Sequence, residues 1–300
     1  MQISTSQFYN TASRRFATMN QRASELQTQI STGKKLLKPS DDPAAAQQIA
    51  ELDRKDADAT VYGANMTLAG SLLDQADGVL TQIQTQLTRA TELATSAATG
   101  TQTDSSRKII GTELKSIVDS LASLANTKNV RGQPLFGTAG GGQAVTDNKD
   151  GTYTFASGDP AVSEVPIADG QSVQATETAS RIFDIGGGDN TLAMLSRLAT
   201  ALGAGGDVTA TTTSSLDALG KAVDQVADVQ ASVGARGARV DLQQQLLTTA
   251  NTDRADLRGK LEQVDVTDAV VQLQQMMTAL SASQASFSKL SSLSLFDYLK

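Results

Sequence analysis

The chain has 300 residues, a formal net charge of −7, 4% aromatic residues and no His, Cys or Trp. It therefore lacks the commonest general base, the soft metal ligands and any thiol nucleophile, which argues against hydrolytic, redox and zinc chemistry. With so few aromatics, a core has to come from Leu, Val, Ile and Ala packed along narrow seams. The absence of thiols leaves the redox compartment open.

The charge is not evenly spread. Residues 1 to 40 hold Arg14, Arg15, Arg22, Lys34, Lys35 and Lys38 against Glu25 alone, so the start is basic and the remainder strongly acidic. A solvated helix face accounts for this, with an acidic partner or an anionic surface as the competing reading. No stretch approaches the 18 or so apolar residues of a membrane span. Met1 to Thr5 has no charged region leading into an apolar one, so no ordinary secretory signal is expected.

Tyr9, Ala12, Phe16, Met19, Ala23, Leu26 and Ile30 alternate steps of three and four, which predicts a first helix ending near Gly33. In Lys38-Pro39-Ser40-Asp41-Asp42-Pro43, Asp42 is suited to cap a helix and Pro43 to open it. The same motif is a carboxylate pair, but capping explains it with less machinery than acid–base work.

The second helix carries the strongest pattern in the chain: Ala59, Tyr62, Met66, Ala69, Leu73, Ala76, Leu80, Ile83, Leu87, Ala90, Ala94 and Ala97 keep a 3-4 spacing. That is a coiled-coil seam. At 1.5 Å per residue it spans roughly 58 Å, against a radius of gyration of about 19 Å for a compact globule of this length, so an elongated molecule is expected. After a break at Thr99-Gly100-Thr101, the residues Ile110, Leu114, Ile117, Leu121 and Leu124 rebuild the seam in a third helix.

From Asn129 the texture changes to glycines, turns and short alternating runs, including Tyr153 and Phe155, with Asp150-Gly151 suited to a hairpin turn. Asp147-Asn148-Lys149-Asp150-Gly151 fails as a calcium loop, because Lys149 and Gly151 stand where oxygen donors are needed. Gly186-Gly187-Gly188 lacks the spacing of a phosphate loop and reads as a flexible closing linker. A short helix around Leu192–Leu202 and a loop from Gly203 to Thr213 follow. The seam then returns through Leu216, Leu219, Val223, Val226 and Val233, and again through Val266, Val270, Leu273, Met277, Leu280 and Phe287.

The pattern resembles the bacterial flagellin superfamily over about residues 1 to 130 and 215 to 300. The residues that carry the likeness are Ile3-Ser4-Thr5-Ser6, Ser31-Thr32-Gly33-Lys34-Lys35, Ser40-Asp41-Asp42-Pro43-Ala44, Val233-Gly234-Ala235-Arg236, and the tail from Asp265 through Leu280 and Gln284 to Leu295. The second proline of Lys38-Pro39-Ser40-Asp41-Asp42-Pro43 and the ending Leu293-Ser294-Leu295-Phe296-Asp297-Tyr298-Leu299 point to the branch that joins hook to filament, with a short filament subunit as the alternative.

The resemblance implies a mainly α fold: an elongated coiled-coil rod formed by N- and C-terminal segments, with a small β-rich inserted outer domain. Residues 1–40 and 263–300 would be the inner assembly domain, 41–130 and 187–262 the helical rod, and 131–186 the outer domain. It implies self-assembly in a helical or ring arrangement, with flagellin and another hook-associated protein as neighbours and an export chaperone. The route would be flagellar type III export to the cell exterior without a cleaved signal, and neither cofactor nor catalysis is implied.

The expected assembly seam comprises Tyr9, Phe16, Met19, Leu26, Ile30, Val270, Leu273, Met277, Leu280, Phe287 and Leu295, with Ser40, Asp41, Asp42 and Pro43 as the helix-start motif. Arg89, Glu92 and Leu93 resemble a stretch through which flagellins are sensed by a vertebrate innate receptor; a solvated helix face with an ion pair at spacing three is the plainer reading. A peripheral membrane or signalling coiled coil, with the basic first helix on anionic lipid, is the competing class. The narrow, Ala-rich apolar face and the matching stripe at the far C-terminus count against it; no nucleic-acid partner is expected, and a membrane partner is disfavoured.

Overall fold

The computed structural model describes residues 2–99, 102–129, 131–138, 142–157 and 164–296, with side chains described within 7–289. Its elements in chain order are helices α1 (Gln2–Thr32), α2 (Pro43–Ala98) and α3 (Asp104–Ala125), strands β1 (Val145–Asp147), β2 (Tyr153–Phe155), β3 (Glu164–Ala168) and β4 (Gln171–Gln174), helix α4 (Ala179–Phe183), strands β5 (Asp184–Gly186) and β6 (Asp189–Asn190), and helices α5 (Thr191–Ala204), α6 (Thr209–Glu262) and α7 (Val266–Phe296). The chain divides into a terminal unit, Met1–Ala57 with Thr249–Lys300, and a central unit, Asp58–Thr248.

In the central unit the long seam behaves as its spacing predicts. Eleven of its twelve residues are buried, and Tyr62 packs half-buried against the same core. From α3, Leu114 and Leu121 meet them, and from α6, Leu219, Val226, Val229 and Val233. The stripe repeats every three to four residues because that spacing returns a side chain to one helix face, and burying that face is what stabilises helices of this length.

The expected loop from Gly203 to Thr213 is mostly helix. Helix α5 continues to Ala204 and α6 starts at Thr209, leaving 205–208 as the connection. Val208 and Thr212 are both buried, the Thr212 hydroxyl donating to the Val208 carbonyl at 2.8 Å. The local Thr-rich composition is overridden by packing. Helix α5 itself is apolar on most sides and lies against α3. That contact needs Gly111: a Cβ there would stand 2.8 Å from the Ala199 carbonyl oxygen and 3.3 Å from Leu202 Cβ.

The inserted strands form three separate antiparallel pairs: β1 with β2, β3 with β4, and β5 with β6. Lys149 at φ 66° and Gly151 at φ 85° make the first turn, where Asp147 and Asp150 each accept hydrogen bonds from backbone two residues on. The three glycines at 186 to 188 are no free linker. All have positive φ and fold the chain from β5 back to β6, a conformation glycine adopts without a steric penalty. The pairs reach the core through Val145, Ile167 and Val173, and Phe155 stacks on Phe183 at 6.2 Å.

Candidate assembly surface

In the terminal unit α1 packs on α7. Helix α1 stops at Thr32 with Gly33 at φ 70°, and α2 starts where its motif predicts. Asp42 Oδ1 accepts from the amides of Ala44 at 3.1 Å and Ala45 at 3.0 Å, and Pro43 opens the helix. Asp41 Oδ2 turns the other way and accepts from the amides of Leu37 at 3.0 Å and Lys38 at 2.9 Å. The carboxylate pair is thus divided between two backbone tasks, with Ser40 exposed beside it. Oxygen acceptors at the start of a helix satisfy amides that have no partner within it.

The connectors on either side of the helix pair meet. Lys34 and Gln263 form an antiparallel bridge in which the Lys35 amide donates to the Glu262 carbonyl at 2.6 Å and the Val264 amide to the Gly33 carbonyl at 3.1 Å. Ion pairs surround this clasp: Lys34 to Glu262 at 3.3 Å, Arg258 to Asp53 at 2.7 Å and Asp56 at 2.8 Å, and Arg254 to Asp56 at 2.7 Å. The Arg254 hydrogen bond, seconded by Arg258, holds the Asp56 carboxyl below its ordinary range, and Asp53 in turn raises the Arg258 guanidinium.

Phe287 is the centre of the far end. Phe8 stacks on it at 6.0 Å, while Tyr9 at 5.3 Å and Phe16 at 5.6 Å meet it edge to face. Such arrangements add to simple burial because the positive ring edge meets the negative ring face. An open groove of about 680 Å3 remains beside them, lined in part by Phe8, Arg15, Phe16, Met19 and Ser283.

The expected seam residues divide into two groups. Leu26 and Leu280 are buried, and Tyr9, Phe16, Met19, Ile30, Leu273 and Phe287 are half-buried. Val270 and Met277 are 44% and 51% exposed and do not lie in the contact with α1; Leu295 falls outside the described side chains. In their place the contact takes Ala269, buried, and Met276 and Ser283, half-buried.

Two heptad rows therefore overlap on α7. One, Ala269-Leu273-Met276-Leu280-Ser283-Phe287, faces α1; the other branches from it through Val266, Val270 and Met277 and stays open. At about 100° per residue those three open side chains fall within an arc of about 40°. The sequence could have suggested this, since Ala269 and Ser283 are small enough for close helix approach, but both rows satisfy the same spacing.

Arg89 and Glu92 are exposed and paired at 3.0 Å, as the plainer reading expects, and Arg89 also reaches Glu113 on α3 at 2.7 Å. Leu93 is 6% exposed and belongs to the core. A buried network that sequence reasoning missed lies in the central unit. Glu177, 3% exposed, accepts from Arg236 at 2.6 Å and Arg181 at 2.9 Å, while Arg236 also donates to the carbonyls of Gln174 and Thr176. Arg236 closes the motif Val233-Gly234-Ala235-Arg236, so its place there has a structural cause. Among the described residues no helix is long and apolar enough to cross a membrane, and no acidic group has the makings of a metal site.

Comparison with known proteins agrees with this geometry. Residues 3–140 match the bacterial flagellin N-terminal helical region and residues 216–299 the bacterial flagellin C-terminal helical region. The chain is 28% identical over 219 residues to flagellar hook-associated protein 3 of Salmonella typhimurium, a match covering 68% of this chain and 66% of that protein. It is 35% identical over 108 residues to the protein of the same name from Escherichia coli, covering 36% and 34%. A solved structure from Vibrio parahaemolyticus, provisionally described as a flagellar hook-associated protein, superposes with a TM-score of 0.69 at 25% identity, covering 74% of this chain and all of that one. The two helical regions together take in both halves of the terminal unit and most of the central helices, and on that ground the chain belongs to the bacterial flagellin family.

Proposed function

We propose that this chain is a structural axial protein of the flagellum that joins hook to filament and assembles through α1 and α7. The observation that carries the reading is the half-used stripe of α7. Val266, Val270 and Met277 stay about half exposed beside a seam that α1 already covers, and Phe8 is 47% exposed across the groove. Apolar surface of this kind is stable once a neighbouring copy buries it. In this reading residues 1–40 and 263–300 supply the assembly contacts, 41–130 and 187–262 the helical body, and 131–186 a small inserted domain.

The relatives named hook-associated protein 3 support the junction role over that of a short filament flagellin. The partners are then further copies of the chain, flagellin on one side and another hook-associated protein on the other. Export by the flagellar type III route, with a chaperone, and a place outside the cell accompany the role. No catalysis is involved.

Replacing Val270 by Asp tests the reading, because it puts a carboxylate on the open stripe without touching the α1 contact. Burying that charge at a copy–copy contact costs several kcal/mol unless it is neutralised. The purified variant should keep wild-type helicity, while cells carrying it secrete flagellin into the medium and lack filaments. Normal filaments would remove the assembly role of the stripe. Variant cells that export no flagellin would place the defect in export rather than at the junction.

A further inference from the structure

Asp-Gly occurs three times in the chain, at 77–78, 150–151 and 169–170, and all three aspartates are exposed. The dipeptide carries its own chemistry. Glycine has no Cβ to keep its amide nitrogen from the preceding Asp Cγ, so the two can close into a cyclic imide wherever the backbone turns freely. The three surroundings differ. Gly78 lies within α2, where the helix pattern engages its amide with the Asp74 carbonyl and the adjacent Ala76, Val79 and Leu80 are buried. Gly151 stands in a tied turn: the Thr152 amide, at 2.8 Å, and hydroxyl both donate to Asp150 Oδ1, and a Cβ on Gly151 would stand 3.4 Å from Ser196 Oγ on α5. Those bonds also hold the Asp150 carboxyl below its ordinary range, whereas water leaves readily only from the protonated acid. Asp169 and Gly170 are not held in this way. They form the exposed turn between β3 and β4, Gly170 at φ 64° with open space where a Cβ would stand. Among the described residues the Asp169 carboxyl has neither hydrogen bond nor ion pair.

We propose that Asp169 is a site of spontaneous isoaspartate formation that loosens the β3–β4 hairpin as the chain ages. The Gly170 nitrogen attacks Asp169 Cγ, the N–C bond forms, and the carboxyl hydroxyl leaves as water with the amide proton. Water then reopens the imide. Attack at the side-chain carbonyl restores aspartate, and attack at the former main-chain carbonyl leaves isoaspartate, whose main chain runs through the side chain and is longer by one methylene. One water leaves and one returns, so the step needs neither oxidant nor cofactor. Turn length fixes the register of a hairpin, and here the register carries burial. The Ala168–Gln171 pair adjoins the turn, Ile167 is buried in the central core, and the Pro166 carbonyl accepts from Asn65 on α2 at 2.8 Å. An extra backbone atom at 169 pulls against all three contacts. The hairpin belongs to the central unit, so the proposal depends neither on the terminal helices nor on assembly.

The test incubates the purified full chain at neutral pH and samples it over weeks. Isoaspartyl methyltransferase with labelled S-adenosylmethionine counts the free α-carboxyls, and electron-transfer fragmentation assigns them to residues. Asp169 should convert about tenfold faster than Asp150, with Asp77 unconverted, because those two react only through local opening. In concentrated urea the three rates should converge. The amides of 164–174 should exchange faster in the converted chain, while those of α2 and α3 stay protected. Asp169→Ser should remove the label at this turn and keep the hairpin protected throughout. A folded chain in which Asp150 or Asp77 converts as fast as Asp169 overturns the proposal. So does a ranking that survives in urea, since local sequence rather than structure would then set it. Unchanged exchange at 164–174 in the converted chain overturns the loosening.

Discussion

At the scale of single residues, Gly111 and Asp56 make predictions that run against simple propensity. Alanine is the better helix former by about 1 kcal/mol, yet a Cβ at Gly111 would meet the Ala199 carbonyl at 2.8 Å, backbone that cannot swing aside. Gly111→Ala should therefore destabilise the central unit by about 1–3 kcal/mol, measured by urea unfolding, as overpacking of a close helix contact does. Asp56 is governed by charge. Its carboxyl is depressed mainly by the Arg254 hydrogen bond, so its contribution is fully present above the ordinary carboxylate range, near about pH 4, and is lost as pH falls through the lower folded value. Its side chain is 43% exposed, which limits the effect to about 1 kcal/mol or less and makes it sensitive to salt. Asp56→Asn should lower the thermal midpoint at pH 7 in dilute buffer, with the difference from wild type shrinking in 0.5 M salt or so and on acidification toward about pH 3.

At the scale of elements, the Arg236 network ties α6 to the segment entering α4. Removing one member of a buried ionic cluster leaves the others uncompensated, so Arg236→Ala should cost about 3 kcal/mol or more, whereas Arg181→Ala, at a 49% exposed side chain, should cost far less. Comparing the two by chemical denaturation separates burial from charge count. These cases also mark what could be read from the chain alone. Helices α1 and α2, the α3 seam and the Asp150-Gly151 turn follow from spacing and from residues such as Asp42 and Pro43, whose preferences are local and strong. The start of α6 at Thr209 and the Arg236 contact do not, because each depends on residues distant in sequence: Thr212 is held by burial, and Glu177 is 59 positions from its arginine. On α7 the spacing located the face but could not divide it, since two rows a few tens of degrees apart share Leu273, Leu280 and Phe287.

At the scale of the whole molecule, the terminal helix pair is sparingly packed. Among the described residues its buried apolar side chains between α1 and α7 are Ala23, Leu26, Ala269 and Leu280, two of them alanines, against about 1–2 kcal/mol of backbone entropy for each ordered residue. In dilute solution the amides of 7–32 and 266–289 should exchange much faster than those of the α2 and α3 seams, and assembly should slow them; strong protection at Phe16 in the monomer would contradict this. Phe287→Asp, which disrupts the aromatic group formed with Phe8, Tyr9 and Phe16, should barely change unfolding of the central unit while abolishing assembly. The clasp between Lys34 and Gln263 adds an order of events. It joins positions about 230 residues apart, and closing so long a loop in an unordered chain costs about 5 kcal/mol, more than two backbone hydrogen bonds return. The clasp must therefore close late, after α2 and α6 have come together. For a chain that emerges N-terminus first, α1 stays without its partner until nearly nine-tenths of the sequence has come out, so the earliest segment to arrive is among the last to settle.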